Sequence, residues 1–113
     1  MSYDEALAER VRSVLGRRKG VTEKEMFGGV AWMLGGHMTV CVMKDDLMVR
    51  VGPAAHDAVL AQPHTRIMDF TGRPMKGYVF VAPAGFKTGA ALAEWIERGA
   101  AFTRTLPRKK PSR

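Results

Sequence analysis

At 113 residues the chain has room for one hydrophobic core and not two. No apolar run approaches the ~20 residues that cross a bilayer, and the N-terminus lacks the apolar core of a secretion signal. The net charge of +7 divides as +2 over residues 1–19, zero over 20–100 and +5 over 101–113, so the folded body is expected to lack the basic face of a nucleic-acid-binding domain.

Ser2-Tyr-Asp-Glu5 has the form of a capping box, with Ser2 accepting from the Glu5 N–H and Glu5 reaching back. Tyr3, Leu7, Val11, Val14 and Leu15 recur behind it at helical spacing, with Glu9, Arg10, Arg12 and Arg17 largely opposite. Gly20 is placed as the C-cap of this helix. The basic cluster Arg17, Arg18 and Lys19 has two readings: complement to the negative helix end, or a patch that contacts phosphates.

Val21–Glu25 reads as a short polar edge strand, and Phe27-Gly28-Gly29 as a bend or bulge. Val30–Leu34, Met38–Met43 and Leu47–Val51 follow as strands of a meander, turned at Gly35-Gly36 and at Asp45-Asp46. Their near-continuous apolarity predicts that both faces are covered. Helices meet one face, and a second subunit meets the other, because so large an open apolar face is unusual on a monomer. Pro53 opens a short helix whose apolar side is Ala54, Ala55, Ala58, Val59 and Leu60. Thr65–Phe70 and Tyr78–Ala82 read as two more strands around a Thr-Gly-Arg-Pro turn. Thr88 is the N-cap of the last helix, which buries Leu92, Trp95, Ile96, Gly99 and Phe102.

The predicted architecture is α+β with two layers: an antiparallel sheet of about five to six strands flanked by N-terminal, short middle and C-terminal helices. Residues 1–106 form the domain, and 107–113 a basic, Pro-bearing tail of disordered composition.

Glu25-Met-Phe-Gly-Gly29, Leu47-Met-Val-Arg-Val51, Phe70-Thr-Gly-Arg-Pro-Met-Lys-Gly-Tyr78 and Leu92-Ala-Glu-Trp95 stand in an order and spacing that resembles the N-terminal domain of the TfoX/Sxy competence regulators. The likeness covers roughly residues 10–103. It implies an antiparallel sheet flanked by helices, a cytoplasmic bacterial protein, and a regulatory rather than catalytic role. Full-length regulators of that kind carry a further C-terminal helical domain, in whose place this sequence has a basic stretch ending at Arg113. The resemblance therefore extends to their first half and leaves transcriptional activity aside.

Few residues suggest chemistry. Cys41, the single cysteine, sits between Val40 and Val42 as a small buried hydrophobe and fits a reducing compartment. His37 follows the Gly-Gly turn, where it can face solvent, and His56 and His64 read as surface histidines whose spacing is poor for zinc. Gly85-Phe-Lys-Thr88 echoes the end of a phosphate loop without its glycines, leaving at most a weak anion site at Lys87 and the first helix amides. Arg50 interrupts an apolar strand. It either pairs with an acid such as Asp69 or meets solvent, or else it recognises an anionic ligand or partner; Arg73 and Lys76 carry the same alternatives.

No catalytic constellation or cofactor fingerprint stands out. The first functional expectation is thus a non-enzymatic regulatory or protein-interaction domain, acting as a homodimer or with another regulatory protein. The alternative is nucleic-acid binding through Arg17, Arg18 and Lys19 together with Arg108, Lys109 and Lys110.

Overall fold

The computed structural model describes residues 3–15, 18–26, 28–67 and 76–107. Helix α1, Glu5–Leu15, buries Leu7, Ala8, Val11 and Leu15, the stripe that the spacing predicts. Its start differs from the expected capping box, whose Ser2 lies outside the described residues. Asp4 caps the helix, its Oδ1 accepting from the Leu7 N–H at 3.1 Å. A carboxylate caps as well as a hydroxyl does and also complements the positive helix end. Gly20 is not the C-cap, because α1 stops at Leu15. Its carbonyl instead accepts from the Gly35 N–H at 3.2 Å and ties the entry of the sheet to the next hairpin.

Strands β1 (Val21–Met26), β2 (Gly29–Leu34), β3 (His37–Met43) and β4 (Asp46–Arg50) form the predicted antiparallel meander. Gly35 and Gly36 turn β2 into β3 with φ of +61° and +86°, the left-handed pair that suits a two-residue hairpin. The following turn is Lys44-Asp45 rather than Asp45-Asp46. Lys44 takes φ +55°, and Asp46 already belongs to β4, where it pairs with Arg66 at 2.7 Å.

Helix α2 (His56–Leu60) leads to β5 (Thr65–Ile67) and β6 (Tyr78–Val81). The expected continuation of β5 to Phe70, the Thr-Gly-Arg-Pro turn and Phe27 lie outside the described residues. β6 inserts between β4 and β5, so the sheet runs β1-β2-β3-β4-β6-β5 with every pairing antiparallel. A 3-10 turn, Pro83–Phe86, then delivers the chain to α3, Gly89–Thr103. Thr88 caps α3 as predicted, its Oγ1 accepting from the Ala91 N–H at 3.0 Å.

Strand alternation sorts the side chains onto two faces. Val30, Trp32, Val40, Val42, Leu47, Val49, Val79 and Val81 pack with residues of α1 and α3 in the main core. Burying each such side chain contributes ~1.5–3 kcal/mol. Ala31, Cys41, Met43, Met48 and Phe80 occupy the other face, with half-buried Met33, Met38 and Tyr78 packed against them. The centre of that face, where a second subunit is expected, is already buried within one chain. Met48 is 0% exposed within one chain, and the Arg66 guanidinium lies 4.6 Å from the Phe80 ring centroid.

Candidate functional site

The register of β4 against β6 places Arg50 opposite Tyr78 at one end of the sheet. Beyond it the chain turns sharply at Gly52, whose φ is +90° and where a Cβ would overlap the Phe102 ring of α3. The Gly77 carbonyl accepts from the N–H groups of Val51 at 2.8 Å and Gly52 at 3.0 Å, and the Gly77 N–H donates to His56 Nδ1 at 2.9 Å. His56 is therefore a buried structural residue, 8% exposed, and not the surface histidine that the sequence suggests. Its bond stops a backbone donor from being stranded in the core.

This corner holds the Arg50 guanidinium near two aromatic rings, 5.3 Å from the Tyr78 centroid and 5.5 Å from that of Phe102. Such contacts contribute ~0.5–1 kcal/mol each at partly exposed sites. Arg50 is half-buried, and among the described residues no carboxylate or carbonyl accepts a hydrogen bond from its guanidinium. Lys76 is exposed, next to Gly77 and two residues before Tyr78. The structure thus brings two of the predicted anion-contact residues, Arg50 and Lys76, to one corner.

Other cations share this end of the molecule. The β2–β3 hairpin is there, since β3 pairs Val40 with Val49 just before Arg50. A cleft of about 190 Å³ beside it is lined by Lys19 and Arg104 together with apolar Leu34 and Leu106. Arg18 donates to Glu97 Oε1 at 2.8 Å, and Arg104 donates to the same oxygen at 3.3 Å. Arg18 holds the Glu97 carboxyl below the usual carboxylate range, and the pair raises the Arg18 pKa in turn. Arg18 is thereby an ion-pair partner of α3, whereas Lys19 has its place at the cleft. His37 is half-buried and its Nε2 lies 2.6 Å from the Pro107 carbonyl oxygen. The C-terminal ends of α1 and α3 point this way, and the cations complement their dipoles. Asp4, Asp45 and Asp46 lie at the opposite end, where Asp4 N–H donates to the Lys44 carbonyl.

The remaining predicted residues are dispersed. Lys87 sits at the far end of the sheet beside Arg10, whose Nη2 donates to the carbonyls of Phe86 at 2.8 Å and Thr88 at 3.3 Å. Arg10 thus clamps α1 to the approach of α3. Cys41 is fully buried, and burial pushes its thiol up to about 12. His64 is exposed, and among the described residues no cluster of three or more His, Cys, Asp or Glu side chains could hold a metal. Arg17, Arg73, Arg108, Lys109 and Lys110 lie outside the described residues, as does Asp69, the acid considered for Arg50. No helix of the described residues is long and apolar enough to cross a membrane. No local sequence pattern marks the contact of Arg50 with two rings. Phe102 stood in the predicted stripe of α3, but its contact with Arg50 spans half the chain.

The model of the TfoX N-terminal domain family matches residues 13–103 of this chain. No curated protein and no solved structure matches it.

Proposed function

Because this chain belongs to the TfoX N-terminal domain family, we propose that it is a regulatory domain that acts by contacting another protein and not by catalysis. The observation that carries this reading is Arg50. A guanidinium held near two rings, with no acceptor among the described residues, suits a recognition group. The raised thiol of Cys41 supports the same view, since a reactive cysteine needs the thiolate. A lone buried thiol also fits a reducing compartment, and the bacterial cytoplasm is the proposed location.

Homodimerisation is part of the proposal in a restricted form. The centre of the second sheet face is already buried, so a partner copy there would meet its half-buried rim, Met33, Met38 and Tyr78. Light scattering would show a species of twice 12.5 kDa if this is right, and only the single mass if it is wrong.

Nucleic-acid binding is the second reading. It is favoured by the gathering at one end of Lys19 and Arg104 with Arg50 and Lys76, the last two of which the even charge balance of residues 20–100 had concealed. Titration of duplex DNA against salt separates the two readings. Direct binding predicts a log–log slope of about −0.9 per neutralised phosphate, reduced in a chain ending at Leu106. The protein-contact reading predicts no DNA binding at physiological salt.

A further inference from the structure

We propose that the Arg50 end of the sheet is a docking site for an acidic peptide segment, with Arg50 taking a carboxylate and the neighbouring cleft taking an apolar side chain. This deepens the protein-contact reading and rests on it.

Three observations converge. The Arg50 guanidinium carbon lies 5.3 Å from the Tyr78 ring centroid and 5.5 Å from that of Phe102. Two ring contacts help fix its position, and no described residue accepts a hydrogen bond from its N–H fork. That fork matches the two oxygens of a carboxylate, and rings that fix it beforehand reduce the entropy lost on binding.

The last turn of α3 joins this point to the cleft. Phe102 faces Arg50 and Gly52, while Arg104 and Leu106 line the cleft with Lys19 and Leu34. Leu34 and Leu106 in one cleft with Lys19 and with Arg104, which also pairs with Glu97, suit a segment that alternates acidic and apolar side chains. A nucleic-acid backbone offers nothing to fill it.

Charge decides between the remaining occupants. Residues 101–113 carry five basic and no acidic side chains, so the C-terminal stretch of this chain is repelled from the site. Lys76, exposed two residues before Tyr78, adds a further cation to this corner. The fitting partner is acidic.

The test is selection of a displayed random peptide library on the full chain, followed by affinities of the selected peptides for wild type, Arg50→Met, Arg50→Lys and Lys19→Gln/Arg104→Gln. Thermal melts accompany each variant, and the cleft variant keeps the test informative should Arg50 variants fold poorly. The expected result is enrichment of peptides that alternate Asp or Glu with apolar residues. Their binding falls about tenfold to a hundredfold in Arg50→Met, and Arg50→Lys does not restore it because lysine lacks the fork. The cleft variant weakens the same peptides.

Selected peptides without acidic residues, or bound equally by the Arg50 variants, would overturn the docking site while leaving the protein-contact reading standing. Duplex DNA binding that is lost in Arg50→Met, with no acidic peptide enriched, would overturn both. Self-association abolished by Arg50→Met would overturn the peptide in favour of a second copy.

Discussion

Thr39 Oγ1 and Thr103 Oγ1 lie 3.0 Å apart in the core, joining β3 to the last turn of α3. Both residues are buried, 1% and 2% exposed, and the hydroxyls also reach the carbonyls of His37 and Gly99. This polar link holds the end of α3 over the sheet, and with it Phe102 over Arg50. Replacing Thr103 by Val leaves the Thr39 hydroxyl with the His37 carbonyl alone and is expected to cost about 1–2 kcal/mol. The double variant Thr39→Val/Thr103→Val should cost less than the sum of the singles, because each single already loses the contact the two hydroxyls share. Urea denaturation of the four proteins measures this; strict additivity would show that the two hydroxyls act independently.

Two glycines should respond oppositely to alanine. A Cβ at Gly29 would overlap the Val42 carbonyl oxygen of the neighbouring strand, a contact that only backbone movement relieves. Gly29→Ala is expected to destabilise by about 1–3 kcal/mol through overpacking. A Cβ at Gly89 meets nothing within 4 Å, at the exposed start of α3. Gly89→Ala should therefore stabilise by about 0.5–1 kcal/mol, and thermal melts read both signs.

Acid should weaken the protein in part through Glu23. Arg12 donates to both of its carboxylate oxygens, at 2.7 and 2.8 Å, and Trp32 Nε1 donates to one of them at 3.1 Å. The Arg12 bonds hold the Glu23 carboxyl below its ordinary value of 4.5. A carboxylate with a lowered folded pKa contributes stability above the unfolded value and loses it as pH falls through the folded one. Both side chains are 37% exposed, which limits the contribution to below ~1 kcal/mol. Glu23→Gln should lower stability at neutral pH, with the difference from wild type vanishing in acid. A difference that persists in acid would point to packing instead.

The thiol of Cys41 should be silent. With its pKa raised to about 12 by burial, native protein is expected to leave a thiol reagent unconsumed at mildly alkaline pH, and urea should release one equivalent. Rapid labelling of the folded chain would contradict the buried placement.

What the sequence revealed and what it hid follow the range of the interactions. The glycine hairpin, the Thr88 cap and the apolar stripes are local patterns, and each is where the sequence places it. Errors arose where neighbouring residues had equal claims: Asp4 and Ser2 are both good caps, and Lys44 took a positive φ that its composition does not advertise. The insertion of β6 between β4 and β5 is non-local and has no sequence signal. It is this insertion that brings Tyr78 beside Arg50, and Gly77 onto His56. The basic end was hidden for the same reason. Its cations are scattered along the chain, and only the shared direction of α1, α3 and the β2–β3 hairpin assembles them.

The account stands or falls on whether the Arg50 corner is the working surface. Amide and arginine side-chain resonances recorded while an acidic, apolar-alternating peptide is titrated into the full chain test this most directly. The account predicts shifts concentrated at Arg50, Lys76, Tyr78, Phe102 and Arg104, with the Arg50 Nε–H among the largest. Shifts confined to the edge strand β1, or to the approach of α3 around Lys87, would contradict it.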